Sequence, residues 1–176
     1  MIRRFSALSR KDIVMKKVMV TGSFDPITTG HVDIIRRAVE LFGDVTVVFL
    51  ANSEKTCGMF SPDERLTLCK AALSSLDGVS VIRYAGLTAD IAHENGVDTF
   101  VRGARSATDF EYECTLAANM KHFDPAFETV ILPSSPEYSS VSSTFARELI
   151  KYNCDLDGVV PDECIPLIKQ MREARK

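Results

Sequence analysis

Short β-branched runs alternate with longer segments of helical period from Lys16 onward, and this alternation restricts the chain to a parallel sheet with helices on its faces. Residues 18–21 read as a first strand, and Ile34, Ile35, Ala38, Val39 and Phe42 fall on one helical stripe that Gly43 ends. Val45 to Ala51 is an almost unbroken β-branched and aromatic run, the pattern of a strand covered on both faces. Ser61 caps the next helix, with Pro62 in its first turn and Glu64 completing a capping box, and the helix runs to about Leu76. Further strands are expected at 79–84, 99–101 and 129–132, with a short helix at 89–95 closed by Gly96. Asp109 is expected to cap a helix reaching about Phe123, with Phe110, Cys114, Ala117 and Ala118 facing a core. Ser142 or Ser143 caps a later helix, and a last one opens near Pro161. The expected class is α/β: a doubly wound, five-stranded parallel sheet with helices on both faces, in a single domain that ends in helices.

At 176 residues the chain suits one domain, placed at 16–176. Residues 1–14 carry four basic side chains against Asp12, a net +3 that leaves −6 on the remainder of a chain totalling −3. Residues 1–15 are therefore read as an N-terminal extension, disordered or preceding the true start, with a short targeting peptide as the alternative. Hydrophobic residues at 45% and charged residues at 26% exclude an intrinsically disordered chain. No apolar run approaches the roughly 18 residues of a membrane span, so no membrane role is expected. The acidic balance argues against a broad nucleic-acid surface, so any phosphate recognition must be local. Five cysteines, odd in number and without a C-x-x-C pair, fit reduced, mostly buried thiols of a cytoplasmic protein.

In an open parallel sheet, ligands bind beyond the carboxyl ends of the strands. Four segments there carry unusual chemistry. Gly22 to His31 offers glycines for close backbone approach, free N–H groups at a helix start, the Ser23 hydroxyl and the His31 imidazole, which either donates to phosphate oxygens or packs against its own loop. It matches neither G-x-x-x-x-G-K-S/T nor G-x-G-x-x-G. Lys55, after the second strand, is either solvated or neutralises an anionic substrate. Arg102 and Arg105 flank Gly103-Ala104 at the end of the fourth strand, suited to bidentate phosphate contacts or to salt bridges with Asp109 or Glu113. Tyr138-Ser139-Ser140-Val141-Ser142-Ser143-Thr144 is a hydroxyl-rich turn entering a helix, either a phosphate cradle or a plain capped loop.

Thr28-Thr29-Gly30-His31 resembles the T-x-G-H signature of the nucleotidyltransferase superfamily. Val141 to Arg147 resembles its second signature, I-S-S-T-x-x-R, with valine for isoleucine. Gly22 to Ile35 and the R-G-x-R-x-x-x-D-F-E-Y-E segment, Arg102 to Glu113, resemble the bacterial phosphopantetheine adenylyltransferases, from about Lys16 to the C-terminus. The resemblance implies a Rossmann-like fold and adenylyl transfer from ATP to 4′-phosphopantetheine by direct in-line displacement, giving dephospho-coenzyme A and pyrophosphate. It implies that His31 stabilises the transition state. Ser23, Lys55, Thr88 and Arg102 would meet phosphopantetheine. Ser23, Phe24, His31, Gly103, Ala104, Arg105, Glu113 and the turn from Tyr138 to Thr144 would meet ATP. It further implies Mg²⁺ arriving with ATP, a cytoplasmic homohexamer and feedback inhibition by coenzyme A. The departures are Thr21, where the family often has proline, Tyr138, where tryptophan is common, and a loop around Lys55 one residue longer. Adenylyl transfer to nicotinate mononucleotide and a nucleotide-binding module without turnover remain as alternatives.

Overall fold

The computed structural model describes residues 16–51 and 58–175; the N-terminal extension at 1–15 and Lys55 lie outside them. The strands are Lys17–Gly22 (β1), Asp44–Leu50 (β2), Val79–Tyr84 (β3), Thr99–Ala104 (β4) and Glu128–Pro133 (β5). The helices are Thr29–Phe42 (α1), Pro62–Ala72 (α2), Thr88–Glu94 (α3), Ala107–Phe123 (α4), Ser143–Tyr152 (α5) and Cys164–Glu173 (α6). All strand pairs are parallel and lie in the order β3-β2-β1-β4-β5.

Because alternate residues of a strand point to opposite faces, the central strands feed two cores. Val18, Val20, Val45, Val47, Phe49 and Val101 pack on one face with Ile35 of α1, Leu68 of α2, Ile150 of α5 and Ile168 of α6. Met19, Val48 and Phe100 pack on the other with Ala89, Ile91 and Ala92 of α3 and with Phe127. The doubly wound arrangement follows directly from this parity. At α2 the expected capping box is present: the Ser61 hydroxyl accepts from the Glu64 amide, and the Glu64 carboxylate accepts from the Ser61 amide.

Helix α4 departs from expectation in two ways. Its cap is Ser106, not Asp109: the Ser106 hydroxyl accepts from the Asp109 amide at 3.1 Å, so the helix begins at Ala107. Asp109 instead sits in the first turn, where a carboxylate is favoured by the helix dipole. The predicted core stripe is also not inward. Phe110, Cys114 and Ala118 are exposed, and Glu113 is the buried residue of this helix. The inward position is occupied by a carboxylate because it meets the Arg102 side chain projecting from β4. Helix α6 starts at Cys164, after a turn in which the Cys164 and Ile165 amides donate to the carbonyls of Pro161 and Asp162.

The sheet reverses its winding between β1 and β4. That pair shares a register of two positions, Val18 with Thr99 and Met19 with Phe100, whereas β1–β2 is in register from Lys17 to Gly22. The carboxyl ends of β1 and β4 therefore part, and a crevice opens at the switch point where α/β sheets receive ligands.

Candidate active site

The loop leaving β1 is shaped by Gly22. A Cβ there would lie 2.8 Å from the Phe24 ring, so only glycine lets that ring fold back. Phe24 adopts a left-handed backbone (φ 41°), is 2% exposed and meets the His31 ring edge-on, with centroids 5.2 Å apart. Its role is therefore to pack against and orient the imidazole. The next residue, Asp25, ties the loop to its surroundings. Its carboxylate accepts from the Met59 and Phe60 amides, each at 3.0 Å, and faces the Arg65 Nε at 3.3 Å; its carbonyl accepts from Arg147 at 2.8 Å.

Helix α1 begins with a capping box in which histidine takes the place usual for glutamate. The Thr28 hydroxyl accepts from the His31 amide, and the His31 Nδ1 accepts from the Thr28 amide at 3.0 Å. An amide N–H can only donate, so Nδ1 carries no proton and the ring's hydrogen is on Nε2. Burial, followed by the charges of Arg102 and Arg105, lowers the His31 pKa from 6.5 to about 4. The ring is therefore a neutral Nε2–H donor near neutral pH.

This has a measurable consequence. Between pH 6.5 and about 4 the unfolded chain binds a proton that the folded site refuses, so His31 makes stability fall as pH drops through that window. In urea titrations, wild type minus His31→Gln should lose stability on the order of 2 kcal/mol between pH 7 and 4.5. A pH-independent difference would contradict the neutral assignment.

Arg102 projects from β4 and is held on two sides. Its Nε and Nη2 donate to the Glu113 carboxylate at 2.6 and 3.0 Å, while Nη1 donates to the carbonyl and hydroxyl of Thr21 at 2.6 and 2.7 Å. Arg105 pairs with Asp109 at 3.2 Å and donates to the Val141 carbonyl at 2.9 Å. Both salt-bridge partners weighed from the sequence are thus present. The turn before α5 is locked by the Ser142 hydroxyl, which caps the Phe145 amide, and by the Ser143 hydroxyl, which donates to the Pro26 carbonyl.

These groups surround one cavity of about 410 Å³ at the switch point. Ser23, Phe24, His31, Arg102, Gly103, Arg105, Glu113, Tyr138, Val141, Ser142, Ser143 and Thr144 all line it. Thr88, Ala104, Ser139 and Ser140 are not among the lining residues: Thr88 opens α3, and Ala104 ends β4 with its carbonyl accepting from the Ser134 amide. Thr21, Thr28, Asp109, Tyr112 and Ser134 line the cavity without having been assigned to it from sequence. A threonine three residues before a histidine at a helix start was the available signal for Thr28. Nothing local marks Ser134, which reaches the cavity only because β5 lies beside β4.

A family profile of cytidylyltransferase-like proteins matches residues 19–149. A phosphopantetheine adenylyltransferase of Corynebacterium diphtheriae is 42% identical over 147 residues, covering 84% of this chain and 92% of the relative. Proteins of the same name from Thermotoga neapolitana and Staphylococcus carnosus are 39% and 37% identical, covering 88% and 89% of this chain and 96% and 95% of their own lengths. With that extent of likeness and this fold, the chain is a nucleotidyltransferase and belongs to the phosphopantetheine adenylyltransferase family.

Proposed function

We propose that this protein transfers the adenylyl group of ATP to 4′-phosphopantetheine, releasing pyrophosphate and forming dephospho-coenzyme A in coenzyme A biosynthesis. The observation that carries the reading is the convergence of His31, Arg102 and Arg105 on one cavity at the switch point. A phosphate oxygen of the acceptor attacks the α-phosphorus, the new P–O bond forms as the bond to the bridging oxygen breaks, and that oxygen leaves with pyrophosphate. A phosphate monoester is already anionic at neutral pH, so no side chain has to remove a proton. The protein's task is to bring two anions together and to stabilise the charge that grows on the α-phosphate oxygens. The neutral Nε2–H of His31 suits that task, because it donates without needing to be protonated. Arg105 and the hydroxyls of Ser142 and Thr144, which accept within the protein and keep their hydrogens, supply donors for the triphosphate, and Arg102 serves the acceptor phosphate.

Mg²⁺ accompanies the triphosphate in this reading. The carboxylates lining the cavity, Asp109 and Glu113, are each paired with an arginine, so phosphate oxygens and water would supply most of its ligands. A homohexameric assembly belongs to the same reading, and Phe110 and Phe123 of α4, more than half exposed, offer apolar surface for contact between copies. Coenzyme A, which carries both halves of the product, suits the same cavity as a feedback inhibitor. Among the described residues Cys69 and Cys164 are buried as expected but Cys114 and Cys154 are exposed, and exposed free thiols fit a reducing, cytoplasmic setting. No helix among the described residues is long and apolar enough to cross a membrane.

Pyrophosphate release tests the reaction. With ATP and Mg²⁺, release should depend on 4′-phosphopantetheine and not on nicotinate mononucleotide. Release with the mononucleotide alone would reassign the acceptor, and ATP binding without release from either would make the chain a binding module.

A further inference from the structure

We infer that the Thr21 hydroxyl is a second phosphate donor beside Arg102, so that the two residues together receive the phosphate of the acceptor. The inference rests on the adenylyl-transfer reading above. A guanidinium has five N–H groups. Glu113 takes the Nε–H and one Nη2–H, and Thr21 takes both Nη1 hydrogens, one on its carbonyl and one on its hydroxyl oxygen. One Nη2–H is left, which is short of the two-pronged contact by which arginine usually grips phosphate. The Thr21 hydroxyl makes up the difference. Its oxygen accepts from the guanidinium at 2.7 Å, and its own hydrogen has no other protein acceptor among the described residues. Thr21 and Arg102 both line the cavity. A hydroxyl that accepts from a cation is polarised into a better donor, so the pair offers one N–H and one O–H side by side. This absorbs the departure seen in the sequence, since a proline at 21 has neither a hydroxyl to donate nor one to accept from Arg102.

Calorimetric titration of the full-length protein with 4′-phosphopantetheine, with pantetheine lacking the phosphate, and with ATP tests the inference. Thr21→Val keeps the shape of the side chain and should weaken 4′-phosphopantetheine binding about tenfold. Its affinities for pantetheine and ATP should change less than about twofold, and Thr21→Ser should stay within about threefold of wild type for all three ligands. Thr21→Ala should repeat the valine result if valine packs poorly. The inference is overturned by a valine variant with wild-type affinity for 4′-phosphopantetheine, by a serine variant that loses as much as valine, or by a loss shared equally with ATP. Wild-type binding of 4′-phosphopantetheine without pyrophosphate release would sink the adenylyl-transfer reading while these affinities still decide the role of Thr21. Absence of wild-type binding would sink both.

Discussion

His31→Ala is expected to lower kcat for pyrophosphate release by about 10²–10³ while KM for ATP and for 4′-phosphopantetheine moves only a few-fold. The size follows from what the ring does. Its Nδ1 is engaged by the Thr28 amide, so Nε2–H is fixed as a donor before any ligand arrives. A donor held in place in this way stabilises charge without reorganising during the reaction. The ground-state α-phosphate carries less charge on those oxygens than the transition state, so the loss should fall on kcat. The fold should survive, because the larger core gathers on the sheet and on α1, α2, α5 and α6 rather than on this ring. A folded alanine variant that turns over at a near-normal rate would remove His31 from the chemistry.

Asp25→Ala should lower Tm by roughly 10 °C, following a loss of about 3–5 kcal/mol. The side chain is only 10% exposed and accepts two backbone N–H groups from Met59 and Phe60 beside the Arg65 guanidinium. Alanine would leave both amides without their acceptor and a poorly hydrated cation without its counter-charge, which costs more than the bonds themselves contributed. Asp25→Asn separates the two effects. It retains an oxygen for one amide but removes the charge facing Arg65, so an intermediate Tm is expected. Equal melting of all three proteins in calorimetry would refute the account.

The strand alternation was legible because the central parallel strands are nearly all apolar where they are buried, and all five strands begin within one residue of their expected positions. The fifth, expected at Thr129, begins one residue earlier at Glu128. Helix α4 was misread for a definite reason. Periodicity assigns the inward stripe to apolar residues, yet the inward position belongs to Glu113, whose partner Arg102 is eleven residues away and on another element. The site was legible where the chemistry is local, as in the Gly22 to His31 segment. It was not legible at Ser134, nor at Thr21 beyond its standing where the family often has proline; both lie at strand ends and are made significant by neighbours far along the chain. The arginine partners illustrate the same limit from the other side: Asp109 and Glu113 were both named as possible mates, but only the fold assigns Glu113 to Arg102 and Asp109 to Arg105.

The short shared register between β1 and β4 also governs how such a molecule could change over time. Since the gap is made by main chain that stops zipping after Met19 and Phe100, its width is inherited from strand register and not from the side chains around its rim. Rim residues such as Thr21 and Tyr138 are thereby free to drift, and to retune which anion is preferred, without the mouth collapsing.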